Sequence, residues 1–266
     1  KLAAKPPEKT TVCFPQAGQI IMRSSWQAGS DYALLRCGEF GLAGDGYCAH
    51  AHCDLLSPIL WLYGRPLLID SGTYTYHGDW RDWFRLTAAH NSVLIDGQEQ
   101  AVTGDVFSWQ KVPTAACKAW RDGCVVGSLP HQSGVTWQRQ LAMRQPGVWS
   151  ITDQFEGSGP PHLSHHLDWY FHLAPEWECA PSSAAHCLHL VHTAQPELNV
   201  QIQTPDVLVA LETGWVAYEY GRKTPHQVIH ATWQGDFPAQ KACFSWLFSL
   251  KKEGARHFLV TPVKKV

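Results

Sequence analysis

Two histidines and an aspartate alternate in His50-Ala51-His52-Cys53-Asp54, just ahead of an apolar run at 56–63. Residues two apart in an extended strand share a face, so this spacing predicts that His50, His52 and Asp54 point the same way. Neutral imidazole is the commonest metal ligand in proteins, and a complete site needs a carboxylate or a further imidazole beside the pair. Asp70 ends the apolar run Leu67-Leu68-Ile69, and His90 stands just before an expected strand at 91–95. A carboxylate closing a buried run wants a compensating partner. If the strands at 56–63, 66–70 and 91–95 are neighbours, His52, Asp70 and His90 converge as two imidazoles and one carboxylate. That set suits zinc or a similar divalent ion. The competing reading has Asp70 capping the Ser71-Gly72 turn and His90 hydrogen-bonding locally.

Between these ligand candidates runs a stretch at 72–89 with little strand character, rich in Tyr, Trp and Arg. Long ordered loops in compact domains tend to carry function. Arg81 and Arg85 could each pair bidentately with a carboxylate or sulfate, with Tyr74 beside them. Arg85 equally suits an ion pair that locks the loop, and the tyrosines equally suit packing. Trp80, Trp83 and Phe84 read as core sooner than as a sugar subsite. His165, His166, His186, His189 and His192 read as surface or internally bonded. In a strand His189 falls opposite His186 and His192, so the three cannot share one metal.

The elements that must position these residues are short. Runs of apolar or alternating character end in turn signals: Gly64-Arg65, Asp96-Gly97, Asp122-Gly123 and Pro146-Gly147. Within 135–141, Val135, Trp137, Arg139 and Leu141 fall on one side and Thr136, Gln138 and Gln140 on the other, the period of a half-buried antiparallel strand. More than a dozen such runs, a last one at 257–261 among them, predict an all-β fold, a large antiparallel β-sandwich. No helix longer than a turn or two is expected.

The composition agrees. The 266 residues include 13 Trp, 21 Gly, 17 Pro and 15 His against 2 Met, with 45% hydrophobic and 17% charged residues, which excludes disorder. Lys plus Arg total 21 and Asp plus Glu 23, a net charge of −2 that argues against nucleic acid as a partner. No apolar run reaches the roughly 18–20 residues of a membrane helix, so no membrane span is expected. Nine scattered cysteines without a CxxC pair read as free thiols, with one or two disulfides the alternative. Residues 1–10, with Pro6 and Pro7, read as a linker ahead of one domain at 11–266. The chain is expected to begin inside a longer protein.

Three blocks carry a resemblance: His50-Ala51-His52-Cys53-Asp54; Gly64-Arg65-Pro66-Leu67-Leu68-Ile69-Asp70-Ser71-Gly72-Thr73-Tyr74; and the stretch from Phe84 through His90-Asn91-Ser92 to Gln100. In order and spacing they resemble the heparinase II/III-like family of polysaccharide lyases. The resemblance implies a C-terminal β-sandwich whose N-terminal helical toroid lies outside this chain. It also implies β-elimination on acidic, uronate-containing polysaccharide. By that resemblance the metal ligands are His52, Asp70 and His90, holding a mainly structural divalent ion, zinc first. His50 matches the catalytic or charge-neutralising histidine, and Tyr76 is a second catalytic candidate. Arg81, Arg85 and Tyr74 are the substrate-binding candidates. Further catalytic groups come from the helical domain of the same protein, so this chain alone is expected to be inactive. Degradation of external polysaccharide places it in the periplasm or outside the cell.

The chemistry fits these residues on their own terms. Removing the proton next to a uronate carboxylate builds enediolate-like charge, which the site must offset while supplying a base. The rival reading is a non-catalytic sandwich that binds carbohydrate or supports a catalytic partner. A metal-dependent hydrolase of the His-x-His-x-Asp type is disfavoured, because Leu55 stands where that motif requires another histidine.

Overall fold

The computed structural model describes residues 5–41, 48–157, 164–180, 185–237 and 241–252. The chain opens with β1 (Thr11–Phe14), β2 (Gln19–Arg23), β3 (Tyr32–Arg36), β4 (Pro58–Leu62) and β5 (Arg65–Leu68), which pair consecutively as a five-stranded antiparallel meander. A short helix α1 (Asp79–Arg85) and a 3-10 turn (Thr87–Ala89) follow, then β6 (Val93–Ile95) and the small ribbon of β7 (Val102–Thr103) and β8 (Trp109–Lys111). Next come β9 (Ala116–Arg121), β10 (Cys124–Pro130), β11 (Val135–Gln145), β12 (Val148–Gly157) and β13 (Ser164–His172). After these run β14 (Trp177–Ala180), β15 (Cys187–His192), β16 (Gln195–Gln203), β17 (Leu208–Glu219), β18 (Arg222–Asp236) and β19 (Ala242–Lys252). They form an eight-stranded sheet in the order β14-β15-β16-β19-β12-β11-β10-β9 and a four-stranded sheet in the order β17-β18-β13-β6. The expected strand at 257–261 and the first four linker residues lie outside the described residues.

Alternation explains most of this. In β11 Val135, Trp137, Arg139 and Leu141 are buried and their neighbours half-buried, as the sequence pattern predicts. Between the sheets lie the fully buried rings of Trp137, Trp149, Trp169 and Trp246. One charge pair sits in that core. Arg139 bonds Asp153 through Nε and Nη2 at 2.7 and 2.8 Å, with both side chains at 0% exposure. Asp153 also accepts the indole N–H groups of Trp137 and Trp169. The remaining donor, Arg139 Nη1, reaches the carbonyls of Leu56 and Asn91, so the core arginine fixes the two segments that flank the expected site.

The turn between β4 and β5 is one residue earlier than the Gly64-Arg65 signal suggests. Tyr63 and Gly64 carry positive φ (54° and 72°), the two-residue turn whose twist matches its strands. The nine cysteines are all free thiols. Among the described residues no helix is long and apolar enough to cross a membrane.

Candidate functional site

Asp70 stands two residues past the end of β5, and between them the Ile69 N–H bonds the His172 carbonyl and ties this end of the meander to β13. Behind Asp70 stands Asn91, fully buried. Its Nδ2 donates to the Pro58 and Ile69 carbonyls, and its Oδ1 accepts the His172 N–H. One amide thus locks β4, β5 and β13 together and sets where the next side chain, His90, meets Asp70. His90 Nδ1 donates to Asp70 Oδ2 at 2.8 Å, while Asp70 Oδ1 accepts the Gly72 N–H at 2.8 Å. Asp70 therefore caps the turn, as the competing sequence reading has it, and also pairs with the His90 imidazole from 20 residues on.

Burial opposes charge on both partners, and proximity overrides it. The Asp70 carboxyl is held well below the usual carboxylate range because His90, its hydrogen bond and His52 outweigh desolvation. His90 is raised, since Asp70 outweighs its own burial. The Asp70 side chain keeps 34% exposure whereas His90 has none, so the pair opens toward solvent only on the carboxylate side. Among the described residues His90 Nε2 is buried without a hydrogen-bond partner.

His52 completes the group. Its ring centre lies 5.3 Å from that of His90, and its pKa falls to about 3 through burial and the charge of His90. It is therefore neutral. Its Nε2 lies 3.2 Å from Arg81 Nη1 and 3.3 Å from Thr73 Oγ1, and accepts from the guanidinium. Among the described residues no group of three or more His, Cys, Asp or Glu side chains is placed to hold a metal ion.

The expectation that 50–54 is a strand with His50, His52 and Asp54 on one face is corrected. The segment is a turn and loop ahead of β4, and Leu56, in the turn two residues before that strand, has φ of 59°. Its three polar side chains diverge. His52 is buried, Asp54 pairs with Arg36 at 2.8 Å, and His50 is exposed. His50 meets the Tyr76 ring edge-on at 5.4 Å, with Phe107 at 6.4 Å.

The arginines are structural in this conformation. Arg81 and Arg85 are each 1% exposed. Arg81 donates to the carbonyls of Ala49 and Val106 and stacks its guanidinium 5.2 Å from the Tyr76 ring centre. It so joins the turn bearing His50 to the loop bearing Tyr76. Arg85 pairs with Asp82 at 2.6 Å, bonds the Asp105 and Val106 carbonyls and lies over Trp109, the loop-locking alternative. Tyr74 packs between Trp80 and Phe84. Phe84 is core, while Trp80 and Trp83 are half-buried.

Sequence reasoning missed Asn91, Thr73 and the buried pair His172 and His226. His172 Nε2 donates to the Ala88 carbonyl, leaving Nδ1 to accept from Ser71 Oγ (3.2 Å) or His226 Nε2 (2.9 Å). Asn91 adjoins His90 and could have been singled out there. Nothing in the local spacing connects His172 or His226 to position 71.

Residues 6–247 match the family described as Heparinase II/III-like, C-terminal. A heparin-sulfate lyase of Bacteroides stercoris is 22% identical over 224 residues, which cover 82% of this chain and 31% of that protein. A heparin-sulfate lyase of Pedobacter heparinus is 28% identical over 107 residues, 37% of this chain and 15% of that one. The crystal structure of a heparan sulfate lyase from Pedobacter heparinus superposes with a TM-score of 0.77 at 19% identity, over 94% of this chain and 38% of that one. This last likeness is one of fold. The chain spans about a third of the length of the larger proteins it matches along most of its own length.

Proposed function

The chain belongs to the heparinase II/III-like family, by its C-terminal domain, and from that premise we propose that it forms the sandwich half of a polysaccharide lyase site. The substrate is an acidic, uronate-containing polysaccharide and the reaction is β-elimination. The proton next to the uronate carboxylate leaves to a base, the C–O bond at the β carbon breaks, and a carbon–carbon double bond forms between them. The departing sugar oxygen takes up a proton.

One observation carries this reading: His50 is the exposed imidazole of the cluster, mounted on buried groups and edge-on to Tyr76 at 5.4 Å. An exposed imidazole can hydrogen-bond the uronate carboxylate and offset charge as the enediolate forms. The Tyr76 phenol beside it is placed to exchange a proton with the sugar. Arg81 holds both side chains in register through Ala49 and the Tyr76 ring, a positioning role. The guanidiniums of Arg81 and Arg85 are spent within the chain, so further groups that bind the carboxylate belong to the rest of the protein. We assign these to an N-terminal helical domain, and the substrate places the enzyme in the periplasm or outside the cell.

His52, Asp70 and His90 would hold a divalent ion, zinc first. The support is the chemistry of the donor set, two imidazoles and a carboxylate with the buried His90 Nε2 unpartnered among the described residues. In the arrangement described no three such side chains surround one ion position, and His52 Nε2 accepts from Arg81. When bound, such an ion supplies a fixed positive charge that keeps the ligand imidazoles neutral. The turn that presents His50 is only two residues from His52.

Turnover of heparan sulfate by the full-length protein, followed by the ultraviolet absorbance of the unsaturated product, tests the reading. We expect His50→Ala to lower kcat about 100-fold or more with an unchanged melting temperature. A wild-type protein silent on heparan sulfate and on other uronate polymers would overturn it.

A further inference from the structure

Next to His50 the surface is unusually aromatic. Tyr220 lies at the turn between β17 and β18, 60% exposed, and stacks on Tyr76 with ring centres 5.8 Å apart and planes 30° apart. Phe107, 49% exposed, packs on the same Tyr76 ring at 5.7 Å. The three rings form a platform that begins at the edge of His50.

The hairpin tip that delivers Tyr220 is held by the site loop itself. The Gly221 N–H donates to the Tyr74 carbonyl at 2.8 Å, and Gly72 bridges to Ala217. The Lys223 ammonium sits over the Trp80 ring at 2.7 Å and 4.4 Å from that of Trp215, fastening the first turns of β18 to α1. These anchors spend hydrogen bonds and a desolvated lysine to keep an exposed tyrosine in place. Exposed apolar surface held rigidly beside polar groups marks a binding surface.

We propose that Tyr220 is a sugar-stacking residue of the polysaccharide cleft, seating the residue next to the one that meets His50. This rests on the lyase reading above. A pyranose offers one face of C–H groups with little polarity, and these carry the partial positive charge that an aromatic face attracts. Such a face matches the exposed planar ring of Tyr220; the neighbouring Arg222 is paired with Glu219 at 3.1 Å and Lys223 is engaged by Trp80, so the ring itself carries the contact. Continuity with His50 through Tyr76 selects the polysaccharide as occupant over a second protein surface.

The test uses the full-length protein, wild type and the variants Tyr220→Ala and Tyr220→Phe, with size-defined heparan sulfate oligosaccharides as probe. Binding is measured by calorimetry, and turnover and melting temperature are measured beside it. We expect Tyr220→Ala to weaken binding and raise KM about 3–10-fold, with kcat within about twofold and melting unchanged. Tyr220→Phe should restore both, because the ring carries the effect. Equal affinity and KM in wild type and Tyr220→Ala would overturn this inference and leave the lyase reading intact if turnover persists. Binding that weakens in Tyr220→Ala without any wild-type turnover would keep the platform and sink the lyase reading. A lowered melting temperature at unchanged affinity would reassign the ring to a domain interface, and absence of binding by the wild type would overturn both readings.

Discussion

Leu56 has φ of 59°, a conformation that costs a bulky residue roughly 1–2 kcal/mol. The surroundings hold it there: its N–H bonds the Arg36 carbonyl at 2.8 Å and its carbonyl accepts from Arg139 at 3.1 Å. The strained residue turns the chain two residues after Asp54, just ahead of β4. Arg139 therefore acts on the site from inside the core. Arg139→Met strips the buried Asp153 of its cationic partner and leaves it only the two indole N–H donors at 0% exposure. We expect about 3–5 kcal/mol of lost stability in urea unfolding, and an unchanged midpoint would contradict this account. Two further histidines make the fold acid-sensitive. Burial drives His131 and His226 down to about 4, and each keeps a buried ring nitrogen without a partner. Between pH 6.5 and 4 the unfolded chain binds protons that the folded chain refuses, so stability falls as pH drops through that window. The loss is on the order of 2 kcal/mol per histidine by pH 5. His131→Gln should flatten the pH dependence of the urea midpoint, and an equally steep profile would count against it.

At the scale of elements, the loop at 72–89 behaves as a clamp. α1 carries Asp82 in its first turn and Arg85 in its last, paired across one turn of helix, and the Cys53 N–H bonds the Arg85 carbonyl. The helix is thereby tied to the segment that presents the histidines. Gly72 lets the loop leave β5. With φ of 74° and the Ala217 carbonyl oxygen against the place of a Cβ, the position admits only glycine. Gly72→Ala should separate the β17–β18 hairpin from the loop and lower stability by about 2 kcal/mol or more. Increased hydrogen exchange at Gly221 and Ala217, both bonded to this loop, would locate the damage. Protection equal to wild type at those amides would show that the hairpin is held elsewhere. Turn chemistry and alternation made the hairpins and β11 legible in the sequence. They misplaced the His50–Asp54 segment, because alternation presumes an extended backbone and this stretch is turn and loop ahead of β4.

For the molecule as a whole, the sandwich brings positions 52, 70, 90 and 172 together from separate stretches of chain. Elemental analysis of the purified protein is expected to find about one zinc-like ion per chain. His52→Ala should lose it and melt lower, whereas His50→Ala should keep it. Equal metal content in wild type and His52→Ala would remove His52 from the ligand set. The chain covers about a third of its relatives, and the guanidiniums nearest His50 are turned inward. This chain by itself is therefore expected to fold cooperatively and to turn over no polysaccharide. Steady turnover by the isolated chain would show that it carries a complete site.

Local chemistry was enough to determine the all-β class and the strands that alternate. The three blocks around His52, Asp70 and His90 also sufficed to place the family. These properties are set by neighbours in the chain: alternation, turn propensity and side-chain type. The tertiary structure decided which partners those residues meet. It turned His50 outward and His52 inward, directed both arginines into the protein, and set Asn91 and His172 behind Asp70. It also carried Tyr220 to the side of Tyr76 from far along the chain. Such pairings depend on sheet order and on a strained turn held by a core ion pair, long-range conditions that no window of local sequence contains.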